Sequence, residues 1–97
     1  MWFYRPGCPH CDNMKNEWIT LMSSISPNNI TFKSIDVSLP ENKKIVTDYA
    51  VYGVPRIIKH SSRGIDIYNG ARTASAMKAW LMRDRIYAFE SARNLYS

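Results

Sequence analysis

Cys8 and Cys11 bracket Pro9 and His10 directly after the apolar run Trp2-Phe3-Tyr4 and directly before a stretch of helical periodicity. Two thiols at the mouth of a strand-to-helix turn suit thiol-disulfide exchange. A helix that begins near Cys8 turns unpaired N–H groups and the positive end of its dipole toward that sulfur, which favours thiolate over thiol. Cys8 is therefore the expected nucleophile, acidic and reachable. Pro9 fits the first helical position, where its missing N–H costs nothing, and Cys11 falls about one turn further in, close enough to form a small disulfide ring. One sulfur attacks and the other resolves.

The elements that must hold this pair alternate between strand and helix signals. Residues 2 to 5 read as a strand. From Pro9 to Ile25 the apolar positions Met14, Trp18, Leu21, Met22 and Ile25 recur at helical spacing, and Ser26-Pro27-Asn28-Asn29 supplies the stop. Ile30 to Val37 is rich in β-branched and aromatic residues and reads as a buried strand. Ser38-Leu39-Pro40-Glu41 has the form of a capping box with proline just inside, opening a short helix with Ile45, Val46 and Tyr49 on its apolar stripe. Arg56 to Lys59 and Ile65 to Tyr68 flank the polar turn His60-Ser61-Ser62-Arg63-Gly64, an antiparallel hairpin. Thr73 is the expected N-cap of a last helix. Met77, Trp80 and Leu81 face one way on it, and Ile86, Phe89, Ala92 and Tyr96 follow in a different phase.

The chain has 97 residues, enough for one compact domain with a single core and no separate substrate domain. Residues 85–97 form an expected helical extension of it. The order β-α-β-α-β-β-α implies an α/β fold: a four-stranded mixed sheet, its first crossover right-handed, with helices on both faces. Both cysteines are consumed by the C-x-x-C pair, which leaves none for structural disulfides. In a reducing compartment such a pair points to catalysis or metal. No segment approaches the ~20 apolar residues that cross a bilayer, and the N-terminus lacks the succession of a secretory signal. These features predict a soluble, cytoplasmic chain without a membrane partner.

Thirteen Lys and Arg against eight Asp and Glu give a net charge of +5, scattered from Arg5 to Arg93. Neither Lys43-Lys44 nor Arg83-Asp84-Arg85 builds the basic and aromatic pattern of a nucleic-acid motif, so no nucleic-acid partner is expected.

Phe3-Tyr4-Arg5-Pro6-Gly7-Cys8-Pro9-His10-Cys11, with Asn13, Glu17 and Trp18, resembles the active-site segment of thioredoxin and protein disulfide isomerase domains. Val51-Tyr52-Gly53-Val54-Pro55 resembles their cis-proline loop, and Tyr68-Asn69-Gly70-Ala71-Arg72-Thr73 resembles the turn into their last helix. The resemblance implies a thioredoxin-like fold and an oxidoreductase that exchanges disulfides with protein substrates. It needs no bound cofactor. It also implies a cis bond before Pro55, where composition alone favours trans. Val54 then offers its backbone N–H and C=O to an extended substrate beside Cys8, as a sheet edge accepts a strand.

Pro9 and His10 are the expected tuning residues. A partly protonated His10 imidazole at the helix start would depress the Cys8 pKa, yet oxidants and reductants of this superfamily both carry the Cys-Pro-His-Cys string. The direction of electron flow stays open. Recycling by glutathione or a reductase is also open, because Gly70-Ala71-Arg72 lacks the Gly-Gly-Asp pattern of glutaredoxins.

Two positions depart from the family. Trp2 stands six residues before Cys8, where related domains carry a buried acid, so Cys11 must lose its proton to water, to another group or to the departing sulfur. Gly7 replaces the usual tryptophan and removes an aromatic wall from the substrate groove. The chain starts at the strand leading to the active site, so a sheet edge lies open, and the segment after Arg85 is expected to cover it or to form a weak dimer contact. Two other classes compete: a thioredoxin-fold interaction protein whose cysteines are a structural crosslink, and a metal module using Cys8, His10, Cys11 and His60. The spacing opposes both, since His10 lies between the thiols and so short a loop makes a poor staple. No metal is expected.

Overall fold

Trp2 and Phe3 are neighbours on a strand, so their side chains project to opposite faces, and both are buried, at 5% and 0% exposure. Their strand must therefore lie inside a sheet covered on both sides. The computed structural model describes residues 1–25 and 30–82 and shows this arrangement. Its elements are β1 (Trp2–Tyr4), α1 (Pro9–Ser24), β2 (Ser34–Asp36), a 3-10 turn (Pro40–Asn42), α2 (Lys43–Asp48), β3 (Arg56–Ser61) and β4 (Gly64–Ile67). Residues 74–82 are helical and are called α3.

The sheet order is β2-β1-β3-β4. β1 pairs parallel with β2, Phe3 opposite Ile35, and antiparallel with β3, Trp2 opposite Ile57. The expected element order and mixed four-stranded sheet are the ones observed. On one face Trp2 and Ile57 pack with Cys11, Met14, Trp18 and Leu21 of α1 and with Met77 and Trp80 of α3. On the other, Phe3, Ile35, Val51 and Ile58 meet Ile45, Val46 and Tyr49 of the α2 segment. Each large side chain so buried contributes ~1.5–3 kcal/mol.

Several local expectations need correction. The strand expected over 30–37 contracts to Ser34–Asp36, because its partner β1 is itself three residues long. Ser38 does not cap the following helix. Its hydroxyl and its N–H both bond Asp36 Oδ1, at 2.6 and 2.9 Å, and Leu39 takes the N-cap position without a side-chain bond. The sequence form of a capping box was met by a competing turn, in which an Asp two residues upstream satisfies the same serine. The hairpin is also tighter than the five-residue turn suggests. Its ladder runs on to Ser61 opposite Gly64, and Gly64 closes the turn at φ +113°.

Thr73 does cap α3, accepting the Ala76 N–H at 3.2 Å. A second bond, absent from the sequence reading, comes from α1: Glu17 Oε2 accepts the Ala74 N–H at 2.9 Å. It places a carboxylate at the positive end of α3 and locks the two helices of that face together. The expected stop at 26–29 and the extension 85–97 lie outside the described residues. Among the described residues no helix is long and apolar enough to cross a membrane.

Candidate active site

Pro9 is the first helical residue of α1 and Cys8 is its N-cap, with φ −82° and ψ 113°. The turn before it needs a glycine: Gly7 adopts φ +81°, a left-handed conformation that a tryptophan there would strain. Gly7 thus has a backbone reason of its own, besides the open groove expected from the loss of an aromatic wall. The turn is closed by the Cys8 N–H, which donates to Arg5 O at 3.2 Å.

Cys8 Sγ does the work of an N-cap oxygen, accepting the backbone N–H of Cys11 at 3.3 Å. It also accepts the Cys11 thiol at 2.6 Å. That thiol hydrogen bond is the main cause holding Cys8 below the ordinary thiol range; the backbone N–H groups of Cys11 and His10 and the charge of Arg5 add to it, and burial opposes it. His10 therefore acts here through its backbone, while its ring is exposed. Cys11 goes the other way. Burial first, then the hydrogen bond it donates to Cys8 and the charge of that sulfur, push it up from 9.0 to about 11. The two neighbouring thiols are thus shifted in opposite directions, Cys8 toward thiolate and Cys11 toward thiol.

Cys8 is less open than the sequence suggests. It is 6% exposed and Cys11 1%, so of the two sulfurs Cys8 is the one a substrate can reach. The Val54-Pro55 bond is cis, and Val54 O lies 4.0 Å from Cys8 Sγ. The seven site residues chosen from sequence fall in two groups that the fold joins: Gly7 to Cys11 at the start of α1, and Val54 and Pro55 at the start of β3.

Beneath the pair, Trp2 stacks on Tyr4 with ring centroids 4.6 Å apart and leans on Trp18 at 5.8 Å. Its indole N–H is buried and has no hydrogen-bond partner. β1 itself, Trp2–Tyr4, carries no carboxylate. Among the described residues no three His, Cys, Asp or Glu side chains converge on a common centre. Two features were missed from sequence: the Glu17 bond to α3, and a groove beyond Pro55 flanked by Arg56 and Arg72.

The family model described as Thioredoxin matches residues 1–83. Over 85 residues the chain is 31% identical to protein disulfide isomerase-like 1-1 of Arabidopsis thaliana, covering 84% of this chain and 17% of that protein. It is 33% identical to protein disulfide-isomerase of Saccharomyces cerevisiae, covering 84% and 16%. The chain thus spans about one sixth of the length of these relatives. Among solved structures, the J-Trx1 fragment of ERdj5 superposes with a TM-score of 0.73 at 20% identity, over 86% of this chain and 40% of that one. With the sheet order, the helix-start cysteine pair and a family match across most of its length, the chain belongs to the thioredoxin family.

Proposed function

We propose that the chain is a thiol-disulfide oxidoreductase acting on protein substrates through Cys8 and Cys11. The observation that carries this reading is the split acidity of the pair: the Cys11 thiol and backbone N–H both point at Cys8 Sγ, at 2.6 and 3.3 Å, beside the Val54 carbonyl.

The Cys8 thiolate attacks one sulfur of a substrate disulfide. The S–S bond breaks, the other substrate sulfur leaves as a thiolate and takes up a proton, and Cys8 carries the mixed disulfide. Cys11 then loses its proton and attacks Cys8 Sγ, expelling the second substrate thiolate. The substrate has gained two electrons and two protons, and the chain holds a Cys8-Cys11 disulfide. The reverse sequence oxidises a dithiol. Val54 supports the extended substrate backbone during either sequence, and Pro9 and His10 shape the helix start that stabilises the thiolate. Glutathione or a reductase returns the pair to its starting state.

The test is reduction of insulin disulfides by the full chain with dithiothreitol as electron source. Cys8→Ser abolishes turnover, and reduced Cys11→Ser mixed with insulin after removal of dithiothreitol accumulates a covalent mixed disulfide. Wild-type turnover no faster than that of Cys8→Ser refutes the reading. The potential against glutathione then decides direction, with ~−120 mV marking an oxidant and ~−270 mV a reductant.

A further inference from the structure

The groove beyond Pro55 is a built feature. It holds about 610 Å³ and is lined by Pro55, Arg56, Ile57 and the turn from Tyr68 to Arg72. Tyr68 folds over its own turn and donates its hydroxyl to Ala71 O. Gly70 leaves room for that ring: a Cβ there would lie 2.6 Å from the Tyr68 hydroxyl. The wall is thus set by local packing, braced by Tyr68 against Trp80 at 4.9 Å.

Its charge is one-sided. None of the lining residues is acidic, and neither Arg56 nor Arg72 makes an ion pair or side-chain hydrogen bond with the described residues. Each guanidinium presents five N–H donors suited to a carboxylate. Two cations sharing one groove repel each other, and an anion between them relieves the repulsion. A third, Arg5, is near enough for its charge to act on Cys8.

The groove also adjoins the loop that approaches Cys8. Pro55 lines it, and Val54, one residue earlier, sits 4.0 Å from Cys8 Sγ. An extended chain advances ~3.3 Å per residue, so a substrate that pairs with Val54 while its cysteine meets Cys8 brings residues close to that cysteine toward the Pro55 end of the groove.

We propose that this groove is a carboxylate subsite, which makes the chain selective for disulfides whose cysteine is flanked by Asp or Glu. The inference rests on the oxidoreductase reading above and names its substrate class. Solvent-accessible ion pairs are individually weak, so the two arginines together give roughly a fivefold to twentyfold preference at low salt, falling as salt screens them.

The experiment measures kcat/KM of the full chain on three peptide disulfides that differ only in the residues flanking the cysteine: Glu, Gln or Lys. A fourth substrate, the neutral peptide joined to glutathione, separates a carboxylate on the polypeptide from one on a small thiol. The expected order is Glu above Gln above Lys. The Glu-to-Lys ratio collapses toward one in the Arg56→Gln/Arg72→Gln double variant and survives in Lys43→Gln/Lys78→Gln, which removes the same charge elsewhere. Equal rates on all the peptides, or a preference that persists without the two arginines, overturns the subsite and leaves the oxidoreductase reading standing. Absence of turnover on every substrate overturns that reading itself.

Discussion

If Cys8 and Cys11 exchange disulfides as proposed, the pH dependence of resolving the mixed disulfide follows from the site. Once Cys8 is bound to a substrate sulfur it carries no charge and no longer accepts the Cys11 thiol. Those two influences on Cys11 vanish; burial, the largest, remains, with the charge of Asp12 adding to it and the backbone hydrogen bond with Arg5 opposing it. Cys11 in the intermediate therefore lies between its ordinary 9.0 and about 11. At pH 7 its thiolate fraction is then between ~1 in 100 and ~1 in 10,000, and each pH unit up to 9 raises it about tenfold. Trp2, which shares the buried cluster with Cys11, offers no carboxylate to take the proton. The resolving rate should thus climb roughly 100-fold between pH 7 and 9, in proportion to the thiolate population. The assay loads Cys8 with a chromophoric aryl thiol and follows its release after a stopped-flow pH jump. Such a leaving group is already ionised throughout the range, so the slope belongs to Cys11. Trp2→Glu, if it folds with a carboxylate in that 5%-exposed position, should flatten the profile and raise the rate at pH 7. A flat wild-type profile refutes the reasoning without recourse to the variant, since it would mean that a neighbouring base, such as the Asp12 carboxylate whose charge Cys11 feels, takes the proton.

Two stability predictions test how the helices hold that site. Glu17→Ala removes the carboxylate that accepts the Ala74 N–H and should lower unfolding free energy by ~1–2 kcal/mol in urea titration, Glu17→Gln by about half as much; an unchanged midpoint for the alanine variant would mean the bond contributes nothing. Met77→Ala empties a 0%-exposed position between α3 and the sheet and should cost ~2–5 kcal/mol, whereas a loss below ~1 kcal/mol would show that α3 is not packed as described.

Much of the site was legible in the residues because its parts are local. Cys8, Pro9 and Cys11 stand within one turn of chain, and the rules of helix starts place a sulfur at the N-cap whatever surrounds it. The periodicity of Met14, Trp18 and Leu21 identified the buried face of α1 for the same reason. Local rules failed where two of them competed. Ser38 satisfied the pattern of a capping box and of an Asp turn, and Asp36 took it. Exposure was misjudged at Cys8, since no residue announces how closely a loop 46 positions away will approach.

The sequence by itself determined the chemistry available, a helix-start dithiol, and the strand and helix periods that build a two-faced sheet. Those follow from backbone geometry repeated every few residues. Tertiary structure alone decided that Val54 meets Cys8, that Glu17 caps a helix 57 residues away, and that Arg56 and Arg72 flank one groove without a counter-charge. Such pairings depend on how β1, β3 and α3 stack, and the free energy of that stacking is spread over the whole core, so no single segment encodes it.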